Sequence, residues 1–373
     1  MNFELTEERR MLQDGLRRML ADVTDTKAIA TGTAPWSPDA WAAIAEMGVV
    51  GALFSEEHGG FGGAGFDLAV VFEEMGRAGA TEPLLEVVLA GGLIAELGTD
   101  AQRAVLEDVM AGTTQLAFAH GEPGSRYDLE RVATTARRDG DGWILSGRKT
   151  VVVNGGSADL IVVSARTSGE VADSDGLSLF LLPAGTDGVD LRDYPLAGGG
   201  HGAEIALDDV RLPADALLGA EGDALAAIEK ANARGVCAIS AEALGLMERC
   251  KQLTITYLGQ RTQFGQPIGR FQALQHRMAD LIIEVEQARS AVINLAGHLD
   301  ADRDTREIHV SACKQLIGQT AKLVVEESVQ MHGGIGMTME YDLGHFARRL
   351  TMTEHRMGDT LYHLGRFARL RMA

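Results

Sequence analysis

Three regimes of hydrophobic patterning divide the chain. Over the first 112 residues apolar positions recur at helical spacing. PDAWAAIAEMGVVGALF places Trp41, Ile44, Ala45 and Gly48 along one face, and DLAVVFEEMGRAG repeats the habit. The glycine-rich EEHGGFGGAG between them predicts a helix-to-helix loop; it follows no strand, which argues against a phosphate cradle. From about 113 the period changes to two. VATTARR and GWILSGRKTVVV flank the turn DGDG, and LIVVSAR, LSLFLLP and AEIALDDVRL follow with glycine-rich breaks. The GGGHG run at 198–202 predicts a hairpin tip, with a substrate-side loop as the alternative.

After Gly222 long helical stretches return. In FQALQHRMADLIIEVEQARSAVINL, Leu274, Met278, Leu281, Ile282, Val285, Ala288, Val292 and Leu295 form a broad apolar stripe suited to bundle packing. VSACKQLIGQTAKLVVEESVQM behaves alike and ends at the glycines of HGGIG, a helix C-terminus signal. The expected fold is mainly α with a central β-domain. It comprises an N-terminal helical domain over 1–112, a β-barrel-like middle domain over 113–218 and a C-terminal helical bundle over 219–373. No repeat at solenoid spacing appears.

Composition narrows the function classes. A net charge of −19 argues against a sequence-independent grip on nucleic acid or anionic lipid, both of which need a broad positive face. Cys237, Cys250 and Cys313 lack zinc-type or CxxC spacing and read as buried structural thiols, so no metal is expected. No stretch approaches membrane-spanning length and no leader pattern opens the chain, so a cytoplasmic protein without membrane insertion is expected. The histidines form no ligand set. His355 and His363, eight apart, read as solvated residues that one helical face could carry.

Two segments are more specific: YLGQRTQFGQPIGRFQALQHRMAD at 257–280 and ESVQMHGGIGMTMEYDLGHFARR at 327–349. Arg261 offers a planar, permanently charged fork suited to a pyrophosphate, and Phe264 an apolar wall beside it. Gln330 can bond a hydroxyl, and Gly333 and Gly334 permit close backbone approach. Together with RKTVVVNGGSADLIVVSAR, these segments resemble the acyl-CoA dehydrogenase family, and the likeness spans essentially the whole chain. Within that family, SRYDLERVATTARRDG and HFARRLTMTEHRMGDTLYHL most resemble the small subunit of two-gene enzymes such as pimeloyl-CoA dehydrogenase.

The resemblance implies an FAD-dependent enzyme that takes a proton from the carbon beside an acyl-CoA thioester and a hydride from the next carbon. It implies that Arg261, Phe264, Phe271, Gln272, Gln330, Gly333 and Gly334 hold the ADP half of an FAD bound largely to a neighbouring subunit. It also implies an electron-transferring flavoprotein as acceptor. The α-proton is weakly acidic, so the family uses a desolvated carboxylate as base.

Here that base is missing. Counting from the GGxGxxxEY pattern at Gly333 to Tyr341, the family's Glu-Gly-Thr falls on Met357, Gly358 and Asp359, and the alternative base position falls on Gly235. The family's Trp-Ile-Thr beside the flavin becomes Val151, Val152 and Val153. Gly121 and Tyr127 stand where hydroxyls usually contact flavin and substrate. Valine cannot donate the hydrogen bond to flavin N5.

Loss is confined to the chain's own cleft, while the residues serving a neighbour's cofactor remain. The economical expectation is a heteromer of the α2β2 type, in which this chain lends its ADP-binding arm to a larger homologous subunit. Two alternatives stand beside it. One is a homo-oligomeric flavoprotein with a displaced carboxylate, Asp359 or Glu242. The other is a non-dehydrogenating enzyme performing a flavin-assisted elimination.

Overall fold

The computed structural model describes residues 5–25, 35–338 and 340–372; residues 26–34 of the expected N-terminal helical region lie outside them. Helices open the chain: α1 (Glu7–Val23), α2 (Pro38–Glu46) and α3 (Gly65–Ala78). The apolar run that begins in α2 continues to Phe54, but the helix stops because Gly48 adopts φ 78°, and a 3₁₀ turn at Gly51–Leu53 follows. Next come the single turn α4 (Leu84–Glu86), a π-helical turn at Val87–Gly91, α5 (Gly92–Leu97), α6 (Asp100–Arg103) and α7 (Val105–Met110).

An eight-stranded sheet follows, running in the order β6-β7-β3-β2-β4-β5-β8 with β1 beside β4. Its strands are β1 (Leu116–Ala119), β2 (Thr135–Asp139), β3 (Gly142–Val153), β4 (Leu160–Arg166), β5 (Leu177–Pro183), β6 (Val189–Pro195), β7 (His201–Leu212) and β8 (Leu217–Leu218). The DGDG turn joins β2 to β3, with Asp139 opposite Gly142, and the GGGHG run forms the β6–β7 hairpin tip. The sheet is open: β6 and β8 are its two ends, and no pairing closes it into a barrel among the described residues. Its own core includes Trp143 edge-on to Phe180 at 5.1 Å.

The C-terminal part holds α8 (Leu225–Gln260), a small hairpin of β9 (Thr262–Gln263) and β10 (Gln266–Pro267), α9 (Gln272–Ala296), α10 (Arg303–His332), α11 (Leu343–Thr353) and α12 (Thr360–Met372). The predicted stripe on α9 is largely inside: Met278, Leu281, Val285, Ala288, Val292 and Leu295 are buried, whereas Ile282 is 37% exposed. Helices α3 and α8 cross at near-backbone contact. A Cβ on Gly245 would lie 2.6 Å from the Arg77 amide nitrogen, and a Cβ on Gly76 would strike the Glu242 carbonyl. This crossing fuses the N- and C-terminal helices into one apolar core. Helix α8 therefore runs through the middle of the molecule, and its flank forms one wall of the site.

Candidate active site

A cleft of about 480 Å³ lies where five pieces of chain meet: the helical wall at residues 85–89, the loop after β1, the end of β3, the first turns of α8 and the α11–α12 loop. Gly121, Tyr127, Val151, Val153 and Met357 all line it. The chain thus gathers in one place residues spread over more than half its length. Val152 points the other way and is buried at 2% exposure, as strand alternation requires.

Val151 is unusual. Its φ of 52° is left-handed, a costly conformation for a β-branched residue, and it sits where the β3–β7 register shifts between Lys149 and Val152. The bulge turns the side chain outward, leaving Val151 53% exposed at the cleft. Thr150, the nearest hydroxyl, donates to Glu204 Oε1 at 2.8 Å. The β3 edge of the cleft thus offers no free side-chain donor from the valine triplet.

Met357 and Gly235, which sequence reasoning reached by two separate counts, are in contact. A Cβ at position 235 would lie 2.9 Å from Met357 Sδ and 2.9 Å from Leu89 Cδ2. Gly235 is the space that the methionine fills. Met357 itself has φ 54°, and its loop is pinned from below. The fully buried Lys314 Nζ donates to the carbonyls of Thr353 (3.1 Å) and Gly358 (2.7 Å), and the Met357 carbonyl lies 2.9 Å from His363 Nε2. Burial lowers Lys314 to about 8 and His363 to about 4. His363 is therefore a buried structural residue on α12, and His355 lies in the preceding loop at the cleft; the expectation of two solvated histidines on one helical face is corrected.

Neither displaced carboxylate lines the cleft. Glu242 is 3% exposed and receives Arg349 at 2.8 Å and Arg356 at 3.2 Å; burial alone would raise it, but the two guanidinium groups hold it below the ordinary range. Asp359 accepts the Tyr362 amide at 2.7 Å, as a cap at the start of α12. Glu122, in the cleft wall, is committed to Lys149 Nζ at 2.6 Å and to the amides of Ala133 and Thr134. Burial opposes its charge, and Lys149 outweighs that, keeping it ionised. His120 is held neutral: burial and the Lys149 charge lower it to about 3, and its Nδ1 lies 2.9 Å from Ser164 Oγ.

One carboxyl escaped sequence reasoning. Glu86, 3% exposed, lines the cleft, and burial pushes it up to about 8. The available signal was a lone charge within the apolar run LLEVVLAGGLIA.

The second set of residues lies apart from the cleft and lines none of it. Arg261 caps the end of α8, is exposed, and its guanidinium makes no ion pair or hydrogen bond among the described residues. Phe264, at φ 54°, is 91% exposed and stands edge-on to Phe271 at 6.0 Å, with Gln272 opening α9. Gln330 is exposed near the end of α10. Gly333 terminates that helix at φ 67°, and no atom lies within 4 Å of a Cβ built on Gly333 or Gly334. The two helix ends meet where Tyr257 stacks on His332 at 4.5 Å. An unpaired guanidinium, an exposed ring and an open glycine ledge suit an extended, diphosphate-bearing group such as the ADP half of FAD. The three cysteines are free and buried, no cluster of metal-ligating side chains occurs among the described residues, and no helix is long and apolar enough to cross a membrane.

Comparison with known proteins agrees with the order of helical, sheet and helical parts. Family models for the N-terminal, middle and C-terminal domains of acyl-CoA dehydrogenase match residues 6–113, 117–210 and 226–370 in turn. The chain belongs to the acyl-CoA dehydrogenase family, whose members are FAD flavoproteins that dehydrogenate acyl-CoA. It is 29% identical to the probable acyl-CoA dehydrogenase YngJ of Bacillus subtilis, over 95% of both chains. Butyryl-CoA dehydrogenase of Megasphaera elsdenii superposes with a TM-score of 0.92 at 26% identity, covering 100% of each chain. The ChsE4-ChsE5 complex of Mycobacterium tuberculosis contains a chain that matches with a TM-score of 0.88 at 26% identity, covering 100% of this chain and 99% of that one.

Proposed function

We propose that this chain is one subunit of a heteromeric, FAD-dependent acyl-CoA dehydrogenase, lending its α8–α9 turn and the end of α10 to an FAD seated mainly on a larger homologous partner. The partner carries the base, and two copies of each chain assemble, as in the two-gene enzymes that pimeloyl-CoA dehydrogenase represents. The observation that carries this reading is the division between the two sets of residues. The arm is exposed and unpaired, whereas the cleft has Met357 packed on Gly235 where a carboxylate is needed. That one matching structure is a complex of two differently named chains supports the heteromer.

In this reading Arg261 binds the pyrophosphate through its planar fork, Phe264 and Phe271 shield it from water, and Gly333 and Gly334 admit it to the backbone. Gln272 and Gln330 orient the nucleotide by hydrogen bonds. Bound FAD supplies the hydride acceptor, and an electron-transferring flavoprotein then takes the electrons. The test is expression of the chain alone and together with a larger homologue, followed by absorbance in the flavin band. A colourless isolated chain and a yellow complex support the proposal; stoichiometric FAD in the isolated chain refutes it.

A further inference from the structure

The two halves of the exposed arm come from different helices, and one buried side chain joins them. His332 is the last residue of α10, and Tyr257 lies in the last turn of α8. The imidazole is 4% exposed and stacks on the Tyr257 ring at 4.5 Å, with 23° between the planes. Tyr341, from the segment before α11, closes on the same pair, 5.2 Å from His332 and edge-on to Tyr257 at 6.2 Å. Ring contacts of this kind stabilise beyond what burial alone contributes. Hydrogen bonding fixes the plane of the imidazole. Its Nδ1 lies 2.8 Å from the Ser328 carbonyl, which can only accept, so Nδ1 carries a proton and in the neutral ring Nε2 is bare. Nε2 is buried without a hydrogen-bond partner among the described residues. Shut away from water and from any ligand, the ring acts through its faces.

Both ends of the arm are tied to this ring. On one side the Tyr257 carbonyl accepts the Arg261 amide at 2.8 Å, closing the last turn of α8. On the other, Gly333 follows His332 at φ 67°, and the turn Gly333–Met337 folds back so closely that a Cβ on Gly336 would lie 3.0 Å from His332 Cβ. The path from the guanidinium residue to the glycine ledge therefore runs Arg261, Tyr257, His332, Gly333. Its three links are a hydrogen bond, a ring stack and a peptide bond.

We infer that His332 is a positioning residue of the nucleotide arm: by stacking on Tyr257 it sets the spacing between the Arg261 fork and the Gly333–Gly334 ledge. The inference rests on the lent-arm reading and adds to it a residue that itself touches no part of the cofactor. Two contacts held at the right separation before the ligand arrives lose less freedom on binding. Dialysis at limiting FAD of the complex with the larger homologue, read by flavin absorbance, tests this. His332→Ala should weaken FAD retention about two- to tenfold, the value of a ring stack. His332→Phe keeps a stacking face and should restore it. His332→Ala combined with Arg261→Ala should hold FAD no more weakly than Arg261→Ala alone, because the spacing has no consequence once the fork is gone, whereas general destabilisation would add to the loss. In the isolated chain, His332→Ala should speed amide exchange at 257–261 on α8 as well as at 333–337.

FAD retention that stays unchanged in His332→Ala while Arg261→Ala lowers it would overturn the inference, as would additive losses in the double variant. So would exchange that rises only at 333–337 or evenly over the whole chain. If Arg261→Ala itself leaves FAD retention unchanged, the lent-arm reading falls and the inference falls with it. That single variant therefore separates the two failures.

Discussion

Met357 rests on Gly235: the methionine sulfur sits 2.9 Å from where a Cβ of residue 235 would be, although Gly235 lies within α8 and Met357 in the loop between α11 and α12. In this chain each position accommodates the other. Adding a side chain at 235 should therefore be costly in a way that depends on 357. Gly235→Ala is expected to lose about 1–3 kcal/mol from overpacking. Met357→Ala in the same chain should recover much of that loss, giving a coupling energy of about 0.5–3 kcal/mol in a double-mutant cycle read by urea denaturation. Additive effects would show that the contact carries no strain.

On the proposed heteromer, Arg261→Ala should lower the FAD content of the complex. A charged hydrogen bond to phosphate contributes about 1.5–3 kcal/mol, or roughly ten- to hundredfold in affinity. Flavin absorbance after dialysis at limiting FAD reads this directly. Unchanged occupancy would mean that the arm does not touch the cofactor.

Met357→Glu alone should create no dehydrogenase activity in the isolated chain. Catalysis needs a base, a donor to flavin N5 and a held flavin together, and groups that act as a unit are strongly non-additive. Met357→Ala should leave turnover of the complex nearly intact while lowering its melting temperature. Dye reduction dependent on acyl-CoA is the assay. A collapse of turnover in Met357→Ala with an unchanged melt would place the reacting centre in this subunit.

The pH dependence of stability should report Glu86. Its folded-state value is raised from 4.5 to about 8, so between these limits the folded state holds a proton that the unfolded state has released. Stability must then fall as pH rises through that window. Glu86→Gln removes the group, so its melting temperature should exceed that of the parent most at pH 8 and least near pH 5. A gap that stays constant with pH would show that Glu86 does not titrate as described.

Lys314→Met should loosen the loop that carries Met357. The ammonium group satisfies two buried carbonyls, at Thr353 and Gly358, and leaving such groups unpaired costs about 1–3 kcal/mol each. Faster amide exchange confined to residues 354–359 and α12 is the expected signature. Exchange that accelerates evenly over the whole chain would indicate a general loss of stability instead.

The sequence by itself determined the order of helices, sheet and helices, because periods of 3.6 and 2 are properties of the local chain and survive without any knowledge of its neighbours. It also brought forward Arg261, Phe264, Gln330 and the glycine pair as candidates for one arm, since they occur in two contiguous stretches whose spacing is visible in one dimension. Counting along those same stretches also led to Met357 and Gly235, which the fold places in contact.

Only the tertiary structure decided what the other charges do. Glu242 looked like a free carboxylate on α8 until Arg349 and Arg356, more than a hundred residues away, were seen to hold it. His363 looked solvated until α12 packed against α10 and buried it at 1% exposure. Glu86 gave the opposite outcome: burial pushes it up to about 8, against the pull of the Phe118 amide and Arg356. Burial and pairing depend on which distant segments converge, and ionisation follows from burial and pairing. That convergence is not written in the spacing of residues along any one element, and so the chemistry of the cleft became readable only once the chain was folded.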